Sequence, residues 1–357
     1  MSVKNKLFVA MVISGLSSQA AAIDLGEFNG VRLSIGGYIK AEGIVNMPDK
    51  GSQDFEGSMR QSRLNFAADK EVNGHKLKGF VEVDFWDNVG DGKDDSYAPR
   101  LRHAYIAIDS VTIGQTWNGQ FLATAPLDVE MVNFWGPGFG TIAGNGSVAR
   151  PDLVINYAKN GFLVSAQDPV WDQAAYPDMV AAYTYRTNGH AFNLAVTGRD
   201  VNTMGNDSKF AAAVSAAARL QFSNTTLAMS GFTGEGAGVY AGWGYSGFTG
   251  DSQNADVNAT GDLITTIGFS TGVTQRFMEN LRGTVRYGQV KADEVKAGMD
   301  KDTMKMVNVN LIYTYLPDLD FGIEWRYQNA TTLPDSVSAS ARRPKGKQLE
   351  VFAMYKF

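Results

Sequence analysis

The feature that most constrains this chain is an alternation of apolar and polar residues that recurs along nearly its whole length. In residues 31–43, Val31, Leu33, Ile35, Ile39 and Ala41 fall on one face, and Arg32, Ser34, Tyr38, Lys40 and Glu42 on the other. A segment of this kind is an amphipathic strand, and its length suits a tilted crossing of a bilayer. Comparable segments follow at 57–68, 76–86, 100–108, 111–117, 150–158, 161–167, 178–187, 190–199, 208–221, 223–232, 262–275, 281–291, 304–316, 319–329 and 347–357. Together they predict about 16 strands, the even number that a single-chain bacterial barrel requires.

The connections between these segments alternate in length. Short ones carry turn chemistry: Asn73-Gly74, Asp109-Ser110, Asn160-Gly161, Asn188-Gly189, Ser223-Asn224 and Pro317-Asp318. Long ones separate them, at 46–56, 87–99, 118–149, 168–177, 200–207, 233–261, 292–303 and 330–346. A soluble β-sandwich has no reason to keep that order, whereas an outer-membrane barrel has short periplasmic turns and long extracellular loops. The expected fold is therefore all-β, a 16-stranded antiparallel transmembrane β-barrel. Aromatic residues near strand ends on the apolar face, Tyr157, Phe192, Tyr313, Tyr315, Trp325 and Tyr327, suit the interfacial girdles of such a barrel.

The N-terminus fits export. Lys4 and Lys6 precede an apolar run at 7–16, and Ala20-Ala21-Ala22 offers a small-residue cleavage site. This pattern predicts a signal peptide at 1–22 and a barrel domain at 23–357, carried through the periplasm to a Gram-negative outer membrane. Leu349, Val351, Ala353, Tyr355 and Phe357 share one face of the last strand, which ends on an aromatic residue as outer-membrane assembly requires. Past the signal segment no apolar run approaches the roughly 18 residues of a membrane helix. There is no cysteine, so the chain does not use the disulfides open to an exported protein. Loss of Lys4 and Lys6 takes the formal charge from −5 to −7, which argues against a nucleic-acid partner.

With strands and loops in place, the chain resembles the DcaP-like porins. The resemblance rests on Arg60-Gln61-Ser62-Arg63-Leu64-Asn65-Phe66, on Leu101-Arg102-His103-Ala104-Tyr105, and on Gly114-Gln115-Thr116-Trp117 leading into the long third loop. These motifs cover residues 31 to about 160; beyond them the likeness is one of length, alternation and ending. The resemblance implies a 16-stranded barrel, a homotrimer and a third loop folded into the lumen. Some relatives begin with a helical stalk; here about eight residues separate the cleavage site from the first strand, so none is expected.

No catalytic constellation stands out. His75, His103 and His190 are scattered, two of them just after Asn-Gly turns, and without cysteine or paired histidines no metal site or cofactor is expected. The pore is more informative, because a barrel of this strand number leaves an aqueous channel unless something fills it. The 118–149 loop carries Gly136, Gly138, Gly140, Gly144 and Gly146 and only two acids, Asp128 and Glu130, and is read as the constriction loop. Facing it, the polar sides of the early strands carry Arg32, Lys40, Arg63, Lys76 and Lys78, with Arg60, Arg100 and Arg102 nearby. Arg282, Arg286 and Arg326, like Arg199 and Arg219, fall on polar faces of later strands. On the lipid side each would cost ~2–4 kcal/mol at mid-depth, so they are expected to point inward. Arg60 has the wrong parity for its strand and is placed at a strand end or bulge. Arg100 and Arg102 share parity with Ala104, Ile106 and Ile108; either a bulge intervenes or those apolar residues face the lumen.

These residues predict a pore for small hydrophilic solutes that favours small anions such as carboxylates. Loop acids such as Asp87, Asp91, Asp94 and Asp95 account for much of the negative charge away from the constriction. The alternative is that the arginines pair with Glu82, Asp84 and Glu324 and brace the wall. A substrate-specific channel on the same fold, or a barrel enzyme or adhesion protein, are the rival functions. The expected surroundings are outer-membrane lipid and lipopolysaccharide. The alanine runs 211–213 and 216–218 mark either a close-packed outer surface or a wall with small lumen-facing residues, and the Gly- and aromatic-rich 237–248 a strand extension or hairpin above the membrane.

Overall fold

The computed structural model describes residues 22–87, 98–132, 150–203, 207–241, 256–258, 260–296, 299–329 and 345–357. The rest of the signal segment, Asp91, Asp94, Asp95, the five glycines from Gly136 to Gly146 and residues 242–248 lie outside the described residues.

Among the described residues eighteen strands form one antiparallel sheet. They are β1 (Ile23–Phe28), β2 (Val31–Pro48), β3 (Asp54–Ser58), β4 (Arg63–Val72), β5 (His75–Asp87), β6 (Ala98–Ile108), β7 (Val111–Gln115), β8 (Val154–Lys159) and β9 (Phe162–Gln167). There follow β10 (Asp178–Thr187), β11 (His190–Asn202), β12 (Ser208–Phe222), β13 (Thr225–Glu235), β14 (Thr265–Met278), β15 (Leu281–Lys296), β16 (Met299–Leu316), β17 (Leu319–Asn329) and β18 (Gly346–Lys356). Each pairs with its sequence neighbour, except that β3 and β4 both pair with β2, and β18 pairs with β2, so the sheet closes on itself.

Sixteen staves make the barrel, because two of them are composite. β3 and β4 lie end to end along one edge of β2, interrupted at residues 59–62. Along the other edge, β18 reaches as far as the Lys356–Tyr38 pair, and β1 continues the line from Ile23 opposite Ile35. At the junction Gly37 N–H donates to the Phe357 carbonyl (2.9 Å) and Phe357 N–H to that of Gly37 (3.1 Å). The eight residues expected to lead into the first strand thus fill the gap that β18 leaves. A stave made of β18 and β1 keeps this edge of β2 paired along its length among the described residues. Gly37 permits the crossing: its φ is +150°, and a Cβ there would lie 2.2 Å from the Arg63 carbonyl oxygen.

The short turns have the expected chemistry. Asn73, Asn160 and Asn188 take φ of 53°, 53° and 47° before glycines that are also left-handed, as two-residue type I′ hairpins require. Asn29-Gly30 makes a further turn of this kind, between β1 and β2. Around this short-turn end runs a belt of outward aromatics that includes Tyr157, Phe162, Tyr183, Phe192, Tyr313, Tyr315 and Tyr355.

Inside and outside are inverted relative to a water-soluble protein. Ile106, Leu194, Val214, Ile267 and Phe269 are exposed on the outer face, while Glu82, Asp84, Arg102, Asn156, Arg286 and Glu324 are buried within. The register of β5 against β6 settles the parity conflict at 100–108. Glu82 pairs with His103 but Val83 with Leu101, so Arg102 is the extra residue of a bulge. Arg102 and His103 are both buried, and Leu101, Ile106 and Ile108 are exposed. Arg60 lies in the break between β3 and β4, where Ser62 N–H donates to the Met59 carbonyl in a tight turn.

Candidate functional site: the lumen at the third loop

The chain leaves β7 through Thr116 and Trp117 and turns into the barrel. Asn118 caps a short helix, α1 (Gly119–Thr124), by accepting the Phe121 N–H at 2.8 Å. The first helical residue has to be small, since a Cβ on Gly119 would sit 2.6 Å from that of Ser165 on β9. The Gly119 N–H donates to Gln167 Oε1 (2.8 Å), Gln120 Nε2 to Ser215 Oγ (2.6 Å), and Thr197 Oγ1 to Gln120 Oε1 (3.1 Å). Pro126 holds a 3-10 turn, Ala125–Leu127, after which the chain runs along the wall as far as Val132.

This path explains the alanine runs. Ala191, Ala211, Ala213 and Ala217 are buried on the inner face, and Leu127 packs on Ala191 and Ala217. Ala212 and Ala216 face outward, so small lumen-facing residues account for one face of β12.

Carboxylates of the loop meet guanidiniums of the wall. Asp128 takes Arg286 in a two-point pair (Nε to Oδ1 3.1 Å, Nη2 to Oδ2 2.9 Å), and its carbonyl accepts Arg219 Nη1 (2.6 Å). Glu130 takes Arg282 likewise, at 2.6 and 2.7 Å, and Arg282 also reaches Asp320 at 3.3 Å. Val132 N–H donates to Glu324 (3.0 Å), and its carbonyl accepts Lys40 Nζ (2.9 Å). Lys40 also pairs with Glu42 (2.6 Å) and Glu350 (3.0 Å). Arg326 is buried on the same inner face. Below the loop a cavity of about 380 Å³ remains, with Lys40, Arg63, Arg219, Arg282 and Lys356 among its lining cations and Asp128, Glu130 and Asp320 as its acids.

The wall of β4, β5 and β6, next to β2, carries a second cluster. Arg100 binds Asp84 through two bonds (3.0 and 2.7 Å), and Arg102 joins Glu82 (2.9 Å) to Asp84 (2.7 Å). Arg63 lies 3.7 Å from Glu82 with its guanidinium over the Tyr38 ring. Arg150, where the third loop returns to β8, lies over the Trp117 ring at 5.0 Å; Arg102 lies over the same ring at 5.4 Å. Among the described residues Arg63, Arg100 and Arg102 thus share two carboxylates, with Arg150 beside them. Arg150 has no carboxylate within salt-bridge distance among the described residues, and residues 133–149 of its own loop contain no acid. Nothing periodic marks Arg150, and the sequence reading missed it; the signal was an arginine closing a long loop otherwise free of cations.

The remaining named residues lie elsewhere. Arg60 pairs with Glu56 (2.8 Å) near the long-loop end. Arg32 and Lys76 are exposed at the short-turn rim, where Lys78 lies 3.8 Å from Asp69. The three histidines occupy separate places, with His75 on Asp109, His103 on Thr116, and His190 accepting the Gln221 N–H.

Among solved structures the barrel is similar to the outer-membrane channel DcaP of Acinetobacter baumannii, with a TM-score of 0.72 and 18% identity over 94% of this chain and 99% of that one. OmpF of Salmonella typhi, solved with daunomycin, gives 0.68 and 15% over 94% and 100%. An anion-selective porin from Comamonas acidovorans gives 0.64 and 12% over 92% and 100%. No protein-family model and no curated protein matches the chain.

Proposed function

We propose that this chain is an outer-membrane porin, a passive water-filled channel for small hydrophilic solutes that favours small anions such as carboxylates. The apolar outer face, the polar interior and the aromatic belt support a membrane-spanning barrel. The wall cluster supports the anion preference: among the described residues it sets Arg63, Arg100, Arg102 and Arg150 against Glu82 and Asp84. The pairs Arg286–Asp128 and Arg282–Glu130 cancel locally and brace the third loop instead. Around Lys40 and Arg326 the acids Glu42, Glu324 and Glu350 outnumber the cations by one. A permeating ion responds to charges within about 10 Å at 0.1 M salt, so the cluster it passes matters more than the chain's net charge of −5.

On this reading residues 1–22 are removed on export, the barrel assembles as a homotrimer, and its outer face meets lipid and lipopolysaccharide. The test is the reversal potential of purified protein in a planar bilayer under a potassium chloride gradient. Anion selectivity is expected, weakened in Arg150→Gln; a cation-selective wild type overturns the anion preference, and a silent one the channel itself. The small cavity beneath the third loop, lined by both signs of charge, favours a solute-specific variant of the same reading, in which one solute class blocks the current saturably.

A further inference from the structure

A second segment enters the lumen, on the wall opposite the arginine cluster. After β13 the chain makes a 3-10 turn, Gly238–Ala241, whose residues are all buried. The turn packs on Phe232, Val290, Met304 and Met306, which are inward positions of β13, β15 and β16. A porin lumen is polar and wet where it is open. Apolar inward side chains at zero to four percent exposure mean that protein, not water, fills this side of the barrel.

Polar bonds fix the turn in place. Tyr240 Oη donates to Asp178 Oδ2 (2.5 Å) and accepts Gln167 Nε2 (2.7 Å). Gln167 also accepts the first N–H of α1, so one amide links the third loop to Tyr240. Arg199 lies between Asp178 (3.4 Å) and Asp256 (3.8 Å) with its guanidinium over the Tyr240 ring, and Asp256 accepts the Val239 N–H (2.9 Å). Asp178, Arg199 and Asp256 are all essentially inaccessible to solvent. Buried charges that depend on one another are expensive to separate, so the latch holds a fixed element and not a fluctuating one.

We propose that this inward turn is a second constriction of the pore: latched by Tyr240, it closes the β11–β16 side of the lumen and confines permeating solutes to the wall that carries Arg63 and Arg102. The proposal rests on the channel reading and adds a determinant of solute size and path. Tyr240→Ala removes both latch and ring; Tyr240→Phe keeps the ring and its packing but leaves Asp178 and Gln167 without their hydroxyl. Both are made in the full chain, checked as the compact unheated form on detergent gels, and measured in planar bilayers with graded polyethylene glycols.

The expected result for Tyr240→Ala is a single-channel conductance higher by roughly 1.5-fold or more, entry of larger polymers, and a weaker anion preference because ions pass farther from the arginines. Tyr240→Phe is expected to raise the conductance less and to add current fluctuations. A conducting wild type whose folded variants keep its conductance and polymer cut-off overturns the second constriction alone. If Tyr240→Ala does not fold, a Tyr240→Phe channel indistinguishable from wild type does the same. A wild type that does not conduct removes the channel reading instead.

Discussion

Removing the Arg286 charge should release the third loop. The Arg286 side chain is fully buried and that of Asp128 7% exposed, and the two meet through two hydrogen bonds across 158 residues of sequence. Deleting one partner of a buried pair leaves an uncompensated charge and costs about 3–5 kcal/mol. At ~1.4 kcal/mol per tenfold, Arg286→Met should lower the docked-to-undocked ratio of residues 128–132 by at least roughly a hundredfold. The neighbouring Arg282–Glu130 pair serves as an internal control, since the Glu130 side chain is 43% exposed. Exposed pairs contribute about 0.2–1 kcal/mol. The assay is a double-mutant cycle of Arg286→Met and Asp128→Ala, read by amide hydrogen exchange at Val129 and Val132 in the detergent-solubilised barrel. A coupling above about 2 kcal/mol is expected, against less than about 1 for Arg282→Met with Glu130→Ala. A coupling at Arg286–Asp128 no larger than the control refutes the claim that burial makes this pair the loop's main anchor.

Three further outcomes follow from the geometry. Gly37→Ala places a Cβ against the Arg63 carbonyl at a left-handed φ. It should destabilise the joint between β18, β1 and β4 by about 1–3 kcal/mol, seen as a lower temperature at which the compact gel form is lost. Val214→Arg, on the outer face near the middle of β12, should cost ~2–4 kcal/mol in guanidinium unfolding from lipid vesicles. At the short-turn end, the hydrogen bond to His75 and then the Lys76 amide hold the Asp109 carboxyl below its usual range. A carboxyl with a depressed folded pKa contributes stability above its unfolded pKa and loses it as pH falls through the folded one. Protection of the Lys76 amide, taken as its exchange rate relative to the unstructured rate at the same pH, should therefore be high at neutral pH and fall below the ordinary aspartate range, and Asp109→Asn should flatten that dependence.

Much of the wall was legible from residues alone. The fifteen segments after 31–43 each contain or overlap a strand of the structure, because a strand with lipid on one side and water on the other must alternate its side chains. The last stave was read as β18 alone. β1 is six residues long and takes its meaning from lying beyond Phe357 on the same edge of β2, a relation between opposite ends of the chain. Parity failed at Arg102 because a bulge adds a residue without changing composition. The segment 237–248, read as a strand extension or hairpin above the membrane, instead turns inward over its described part, 237–241, because Tyr240 finds Asp178 and Gln167 inside the barrel.

The sequence by itself determined the number of staves, the face most wall residues take and the chemistry of the turns, since these depend on neighbours one to four residues apart. Tertiary structure alone decided which charges cancel. Whether Arg286 faces solute or Asp128 depends on how a loop lies against a strand more than a hundred residues away, and whether Arg150 lies over Trp117 depends on where that loop returns to the wall. Alternation fixes the side of the wall on which a charge sits; only closure of the barrel fixes the height and the partner.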